Sequence, residues 1–123
     1  MAVRITLAGS TGWVGKALVA AIAASDDLEL AGAVSRSAAG QDAGEAAGLQ
    51  RLGVTISATL EEALQQPSDV VIDYTKPNAV KAHAVTALAQ GRHVVVGTSG
   101  LSAEDYAEID RHAQGAGKGV LAA

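Results

Sequence analysis

The sequence has no cysteine, no phenylalanine and few aromatic residues of any kind. The absence of cysteine excludes a disulfide framework, a thiolate metal site and a thiol nucleophile. Aromatic residues make up only 2% of the 123 residues, which leaves little surface for stacking the bases of a nucleic acid. The net charge is −4 and the chain has no run of lysine or arginine, so neither a nucleic acid nor an anionic membrane is expected as a partner.

Long hydrophobic runs are also missing, since no apolar stretch approaches the roughly 20 residues needed to cross a bilayer. The opening MAVRITLAGS runs directly into a strand and a loop and lacks the pattern of a secretory signal. What the chain does contain is 49% hydrophobic residues, mostly Ala, Val, Leu and Ile. This composition predicts one folded domain over residues 1–123, located in the cytoplasm.

Short apolar runs alternate with helical patterns along the whole chain, and residues 35–53 form a polar loop with at most a short helical turn. The predicted strands are Val3–Ala8, Leu28–Val34, a short one in GVTIS, DVVID at 69–73, HVVVG and GKGVLAA. The predicted helices are 14–24, one opened by the capping box of Thr59 and Glu62, one from Pro77 to about 90 ended by Gly91, and one from Ser102 to about 114. The alternation predicts an α/β fold with a doubly wound, mostly parallel sheet. Because the chain ends at a strand without a covering helix, we expect it to be truncated before a further domain.

The stretch AGSTGWVG, residues 8–15, lies between the first predicted strand and the first predicted helix. Gly9 would allow the tight turn, Gly12 would let the backbone approach a pyrophosphate, and Gly15 would let the helix pack on the sheet. The helix N-terminus attracts such an anion, so the loop and the predicted sheet together indicate a Rossmann-like dinucleotide-binding domain. The alternative is a glycine-rich turn that binds nothing. Because no Ser or Thr follows Lys16, the loop is not a Walker A phosphate loop.

The second predicted strand ends in AVSRS, at the position that meets the adenosine ribose in a dinucleotide-binding fold. Ser35 stands where an acidic residue would bind the ribose hydroxyls of NAD, and Arg36 and Ser37 can complete a small pocket for the 2′-phosphate of NADP. A hydrogen bond from an arginine to an anion contributes about 1.5–3 kcal/mol, so NADPH is the favoured cofactor, with NADH also allowed. The alternative is that Arg36 is a solvated loop charge.

Three further stretches, QDAGEAAG, VVIDYTKPNAV and VVVGTSGLS, join the glycine loop in a family resemblance. In order and approximate spacing they resemble the N-terminal domain of 4-hydroxy-tetrahydrodipicolinate reductase (dihydrodipicolinate reductase) of lysine biosynthesis, over the whole chain. The resemblance implies a full-length parent enzyme that is a homotetramer and reduces 4-hydroxy-tetrahydrodipicolinate to tetrahydrodipicolinate. It also implies that the catalytic His and Lys, and most substrate contacts, lie in a C-terminal domain that this chain lacks. We therefore expect no catalytic residue in this chain and no activity of the chain alone.

The resemblance assigns cofactor contacts to the positions that match its motifs. The residues expected at the pyrophosphate are Gly9, Ser10, Thr11, Gly12, Trp13 and Val14. Those expected at the nicotinamide end and in a further cofactor-contacting stretch are Gly97, Thr98, Ser99, Ala122 and Ala123. Arg36 would meet the 2′-phosphate. Many family members carry an acidic residue at the position of Ser35 and use NADH readily, so Ser35 argues against NADH use. The residues that resemble the IDFT-x-P motif and are expected to shape the cleft wall are Asp73, Tyr74, Thr75 and Pro77.

Several other polar residues are interpreted as structural. Asp73 follows a strand and is expected to cap backbone N–H groups rather than act as a site carboxylate. Asp42 and Glu45 are expected to cap a short turn. Surface or boundary roles, with no metal-ligand spacing, are expected for the three histidines, His83, His93 and His112.

Two questions stay open at this stage. Trp13, where many family members have Arg, either covers the pyrophosphate or an adenine edge, or packs as a partly exposed ring on the helix. The chain itself is either the cofactor domain of the reductase, the domain of another Rossmann oxidoreductase such as a relative of aspartate or homoserine dehydrogenase, or a stand-alone NADP-binding module.

Overall fold

The computed structural model describes residues 2–97 and 100–122 of the chain. Within these residues the strands are β1 (Val3–Ala8), β2 (Leu28–Val34), β3 (Ile56–Ser57), β4 (Val70–Asp73), β5 (His93–Val96) and β6 (Val120–Ala122). The helices are α1 (Trp13–Ala24), α2 (Ala43–Ala46), α3 (Leu60–Ala63), α4 (Pro77–Ala89) and α5 (Ala103–Ala116). The first two strands have the predicted bounds, α1 begins one residue earlier than predicted, and α2 is the short helical turn expected after β2. No helix in these ranges is long and apolar enough to span a membrane.

The strands form one sheet in the order β3-β2-β1-β4-β5-β6, and each neighbouring pair is parallel. The strand order reverses at β1, which pairs with β2 on one side and β4 on the other. This is the order of the Rossmann fold, in which ligands bind outside the carboxyl ends of the strands at the reversal point. The predicted fold class is therefore confirmed.

Apolar residues fill both faces of the sheet, as a parallel sheet requires. On one face, the buried residues of β1 and β2 pack against α1 in a cluster that includes Leu7, Val19 and Ile22. On the other face, α3, α4 and α5 cover a cluster that includes Val71 and Leu88. The central strands are thereby fixed from both sides, and their carboxyl ends carry the loops that could hold a ligand.

The helix ends follow the signals expected from the sequence. Thr59 Oγ1 accepts a hydrogen bond from the Glu62 N–H at 3.3 Å at the start of α3. At the start of α5, the Ser102 and Asp105 side chains each accept the other residue's backbone N–H, both at 3.1 Å, which completes a capping box. Gly91 follows the C-cap of α4 with a φ of +78°, a value that suits glycine.

Candidate functional site

The candidate site residues come together at the carboxyl edge of the sheet. The Gly9 N–H donates to the Val34 carbonyl at 2.9 Å, which joins the loops after β1 and β2. The Gly97 N–H donates to the Asp73 carbonyl at 2.9 Å, which joins the loops after β4 and β5. Ala122 pairs with the end of β5 at the same edge. Three predicted contacts lie outside the described residues: Thr98, Ser99 and Ala123.

Two of the three glycines in the loop after β1 are required by the fold itself. Gly9 has a φ of +86°, and a Cβ there would lie 3.0 Å from the Tyr74 carbonyl carbon and oxygen. A Cβ on Gly15 would overlap the Gly9 carbonyl oxygen and lie 2.9 Å from its carbon. Gly12 differs, because its φ is −72° and a Cβ would meet only the Gly9 oxygen, at an ordinary distance of 3.6 Å, among the described neighbours. Packing within the chain therefore does not explain the glycine at position 12.

The start of α1 offers unpaired hydrogen-bonding groups. The N-cap is Gly12, which supplies no side-chain cap, and the first turn of α1 contains no acidic residue. The positive end of the helix is thus left uncompensated by its own side chains. Ser10 is 2% exposed, and its Oγ has no hydrogen-bond partner in the part of the chain that the structure describes. A buried hydroxyl without a partner is costly, so these groups fit an anion such as a pyrophosphate.

A chain of hydroxyl groups connects the glycine loop to the end of β2. Thr11 Oγ1 lies 2.8 Å from Ser35 Oγ, which lies 3.3 Å from Ser37 Oγ. Arg36 stands between the two serines and is exposed to solvent. The cluster of Thr11, Ser35, Arg36 and Ser37 therefore has three hydroxyls in mutual contact and an exposed arginine next to them in the sequence, and none of its four residues is acidic.

Asp73 is fully buried at the end of β4 and caps the loop that follows, as expected. Its Oδ1 accepts hydrogen bonds from the Thr75 N–H at 2.9 Å and from the Thr75 hydroxyl at 2.5 Å. Its Oδ2 lies 3.0 Å from Nδ1 of His83 in α4. His83 is half-buried, which is the boundary position expected of it, but its contact with Asp73 was not predicted. The tight connection between β4 and α4 brings the two side chains together, and spacing along the sequence alone does not reveal this.

The other two histidines have the roles expected of them. His93 Nδ1 accepts the Gly119 N–H at 2.9 Å, between β5 and the start of β6, and His112 is exposed on α5. Over residues 2–97 and 100–122, no group of three or more His, Cys, Asp or Glu side chains is arranged to hold a metal ion.

The Tyr74 ring lies across Gly97, a contact that the sequence analysis missed. A Cβ on Gly97 would overlap ring atoms of Tyr74. Tyr74 is thereby held between Gly9, against its backbone, and Gly97, against its ring. The register of β4 and β5 sets Asp73 opposite Val96, so the residues that follow each strand are neighbours. This pairing is the signal from which the contact could have been found.

Asp42 organises the long loop after β2 and lies outside the cluster at the glycine loop. Its carboxylate accepts five backbone N–H bonds of 2.8–3.1 Å, two from the start of α2 and three from residues 52–54. These bonds, that from Leu52 foremost, lower the pKa of Asp42 from 3.8 to about 2. The cap predicted for Asp42 is confirmed, whereas no capping hydrogen bond to the Glu45 carboxylate is found among the described residues, and the three donors beyond the turn were not predicted. Glu45 forms an exposed ion pair with Arg51 at 3.6 Å.

Trp13 is the first residue of α1 and is 97% exposed. The interpretation that its ring packs on the helix is therefore wrong. The remaining interpretation is that the indole meets a ligand beside the glycine loop.

Comparison with known families gives a match over nearly the whole chain. Residues 3–123 match the family described as "Dihydrodipicolinate reductase, N-terminus". The 4-hydroxy-tetrahydrodipicolinate reductase of Synechococcus elongatus is 38% identical over 126 residues, which cover 97% of this chain and 46% of the relative. The enzyme of the same name from Methylococcus capsulatus is 38% identical over 120 residues, covering 95% and 44%. The chain thus spans about half the length of the curated relatives it matches.

Solved structures show the same fold at lower sequence identity. The dipicolinate-bound dihydrodipicolinate reductase from Paenisporosarcina sp. TG-14 has a TM-score of 0.84 and 23% identity, over 100% of this chain and 47% of that one. The WlbA dehydrogenase from Bordetella pertussis, in complex with NADH and UDP-GlcNAcA, has a TM-score of 0.78 and 24% identity, over 99% and 35%.

Proposed function

The chain belongs to the family of dihydrodipicolinate reductase N-terminal domains, and from this premise we propose that it is the dinucleotide-binding domain of a reductase that converts 4-hydroxy-tetrahydrodipicolinate to tetrahydrodipicolinate. The observation that carries the proposal is Gly12, a glycine that the chain's own packing does not require, at the N-terminus of α1. The absence of a side chain at position 12 lets a pyrophosphate approach the backbone closely, and this would explain why the residue is glycine. The family match over residues 3–123 favours this function over another Rossmann oxidoreductase or a stand-alone binding module.

In this proposal the chain binds and orients the cofactor, and the bound dinucleotide supplies the hydride. The amides at the start of α1 and the Ser10 hydroxyl hold the pyrophosphate, together with the backbone of Gly9 to Val14. Gly97 lies toward the nicotinamide end, beside Tyr74. Further contacts at the nicotinamide end are proposed for Thr98, Ser99, Ala122 and Ala123. The catalytic groups, most substrate contacts and the tetramer contacts are assigned to the part of the relatives that this chain does not span.

We propose NADPH as the preferred cofactor. The 2′-phosphate would lie among Thr11, Ser35, Arg36 and Ser37, where hydroxyls can donate to its oxygens and the guanidinium supplies positive charge. An acidic residue at position 35 would instead repel the phosphate and bind the ribose hydroxyls of NADH. The absence of a carboxylate from this cluster is what supports the preference.

Calorimetric titration with NADPH and NADH tests both parts of the proposal. We expect NADPH to bind roughly ten- to a hundredfold more tightly, and less so at high salt because Arg36 is exposed. Arg36→Ala should remove most of this preference. Arg111→Ala, which removes an exposed charge from α5, is the matched control and should leave the preference unchanged. Equal affinity of the unaltered chain for both cofactors would refute the assignment of Arg36, and a folded sample that binds neither would refute dinucleotide binding.

A further inference from the structure

We propose that the Trp13 indole is a stacking surface for the adenine base of the bound dinucleotide. This inference rests on the proposed function and adds a residue that recognises the base rather than the phosphates. The proposal begins from the exposure of Trp13, which is 97% exposed, whereas the next most exposed large hydrophobic residue in the described part of the chain, Leu121, is 62% exposed. The largest apolar side chain in the sequence therefore gains almost nothing from packing within the chain.

The position of Trp13 places the indole on the adenosine side of the candidate site. Thr11, two residues earlier, is hydrogen-bonded to Ser35 at the end of β2. The Gly9 N–H is bonded to the carbonyl of Val34, the last residue of β2. The start of α1 is thus tied to the end of β2, where the adenosine ribose of a dinucleotide binds in this fold. The proposed nicotinamide end lies in the opposite direction along the sheet, at the ends of β4 and β5.

The surroundings of the indole favour an anion, and the aromatic face of the indole itself suits a flat base joined to that anion. No acidic side chain lies in the first turn of α1, and Lys16 is exposed one turn after Trp13. A nucleoside diphosphate fits both features, because its phosphates meet the positive end of the helix and its base can lie on the indole. Stacking of a base on an aromatic side chain depends on the base and not on the rest of the ligand. The contribution of Trp13 to the binding free energy should therefore be the same with and without the 2′-phosphate.

The test compares ligands that contain adenine with ligands that lack it. We expect Trp13→Ala to weaken binding of ADP, NADPH and NADH by the same factor, about tenfold. Binding of nicotinamide mononucleotide and of inorganic pyrophosphate should be unchanged. Trp13→Phe should restore part of the affinity, because it keeps an aromatic face. Leu49→Ala removes another exposed apolar side chain, outside the candidate site, and should affect none of the five ligands.

Fluorescence supplies an independent readout, since Trp13 is the only tryptophan in the sequence. We expect ADP to quench its emission strongly and nicotinamide mononucleotide to leave it nearly unchanged. If the unaltered chain binds NADPH and Trp13→Ala binds it equally well, stacking is refuted and the proposed function stands. If the folded, unaltered chain binds no dinucleotide, both the stacking proposal and the proposed function are refuted. If Trp13→Ala reduces self-association and leaves ADP affinity unchanged, the indole serves a second copy of the chain and the adenine proposal is wrong.

Discussion

Replacing Gly12 with alanine tests whether the glycine at this position is required for folding or for binding a ligand. The backbone at this position, with φ −72° and ψ 173°, is open to any residue. The added Cβ would lie 3.6 Å from the Gly9 oxygen, which is an ordinary contact. Loss of glycine reduces the entropy of the unfolded chain and stabilises the fold by about 0.4–1 kcal/mol. Alanine is a poorer N-cap than glycine by roughly the same amount. The free energy of unfolding should therefore stay within about 1 kcal/mol of the original value.

Binding should respond much more strongly than stability. In the proposed complex the methyl group would occupy the space through which the pyrophosphate approaches the amides at the start of α1. Loss of one or two hydrogen bonds to a charged group costs about 1.5–3 kcal/mol each. We therefore expect the NADPH dissociation constant of Gly12→Ala to rise at least tenfold, a change of about 1.4 kcal/mol.

Urea unfolding and calorimetric titration of the same samples measure the two effects. Gly15→Ala is the comparison, because its Cβ would overlap the Gly9 carbonyl and should lower the free energy of unfolding by about 1–3 kcal/mol. If Gly12→Ala folds normally and binds NADPH as the original chain does, the glycine is not there for a ligand and the reasoning fails. If Gly12→Ala is as unstable as Gly15→Ala, the packing argument at position 12 is wrong.

Two further predictions concern the buried and half-buried carboxylates. The stabilisation due to the lowered pKa of Asp42 is complete above its ordinary value of 3.8 and is lost as the pH falls through about 2. Urea midpoints measured across that range should therefore fall less steeply for Asp42→Asn, and parallel curves would contradict the assignment. His83→Ala leaves Asp73 Oδ2 without its partner in α4, so the free energy of unfolding should drop by about 1–3 kcal/mol. The exposed control, His112→Ala, should change it by less than about 0.5 kcal/mol, and equal effects would mean that the Asp73–His83 contact is not stabilising.

Local patterns were sufficient to predict the elements that place the site. The β1 and β2 bounds follow from mostly apolar runs, because the carboxyl-terminal residues of both strands are buried on both faces of the sheet. The start of α5 follows from Ser102, whose hydroxyl caps the helix as its residue type suggests. The proposed pyrophosphate loop was found because its glycines lie between a predicted strand and a predicted helix. This placement depends only on neighbouring residues and can therefore be recognised in a single sequence.

The contacts that were missed all join separate elements. Asp73 meets His83 because of how α4 packs on β4, and Asp42 receives N–H groups from residues 52–54 because the loop folds back on itself. The spacing of these residues along the sequence does not reveal how the helix or the loop packs. The sequence pattern could not predict the exposure of Trp13 either, because a tryptophan at the start of a helix can be packed against the protein or exposed to solvent.

The position of Tyr74 between Gly9 and Gly97 has an evolutionary consequence. A side chain at position 97 would need the volume that the Tyr74 ring occupies, and a side chain at position 9 would press on the Tyr74 backbone. A larger residue at position 97 therefore requires either that the Tyr74 ring moves aside or that position 74 carries a smaller residue. Substitutions at the ends of β1, β4 and β5 should therefore influence one another through Tyr74, even though the three positions are far apart along the chain.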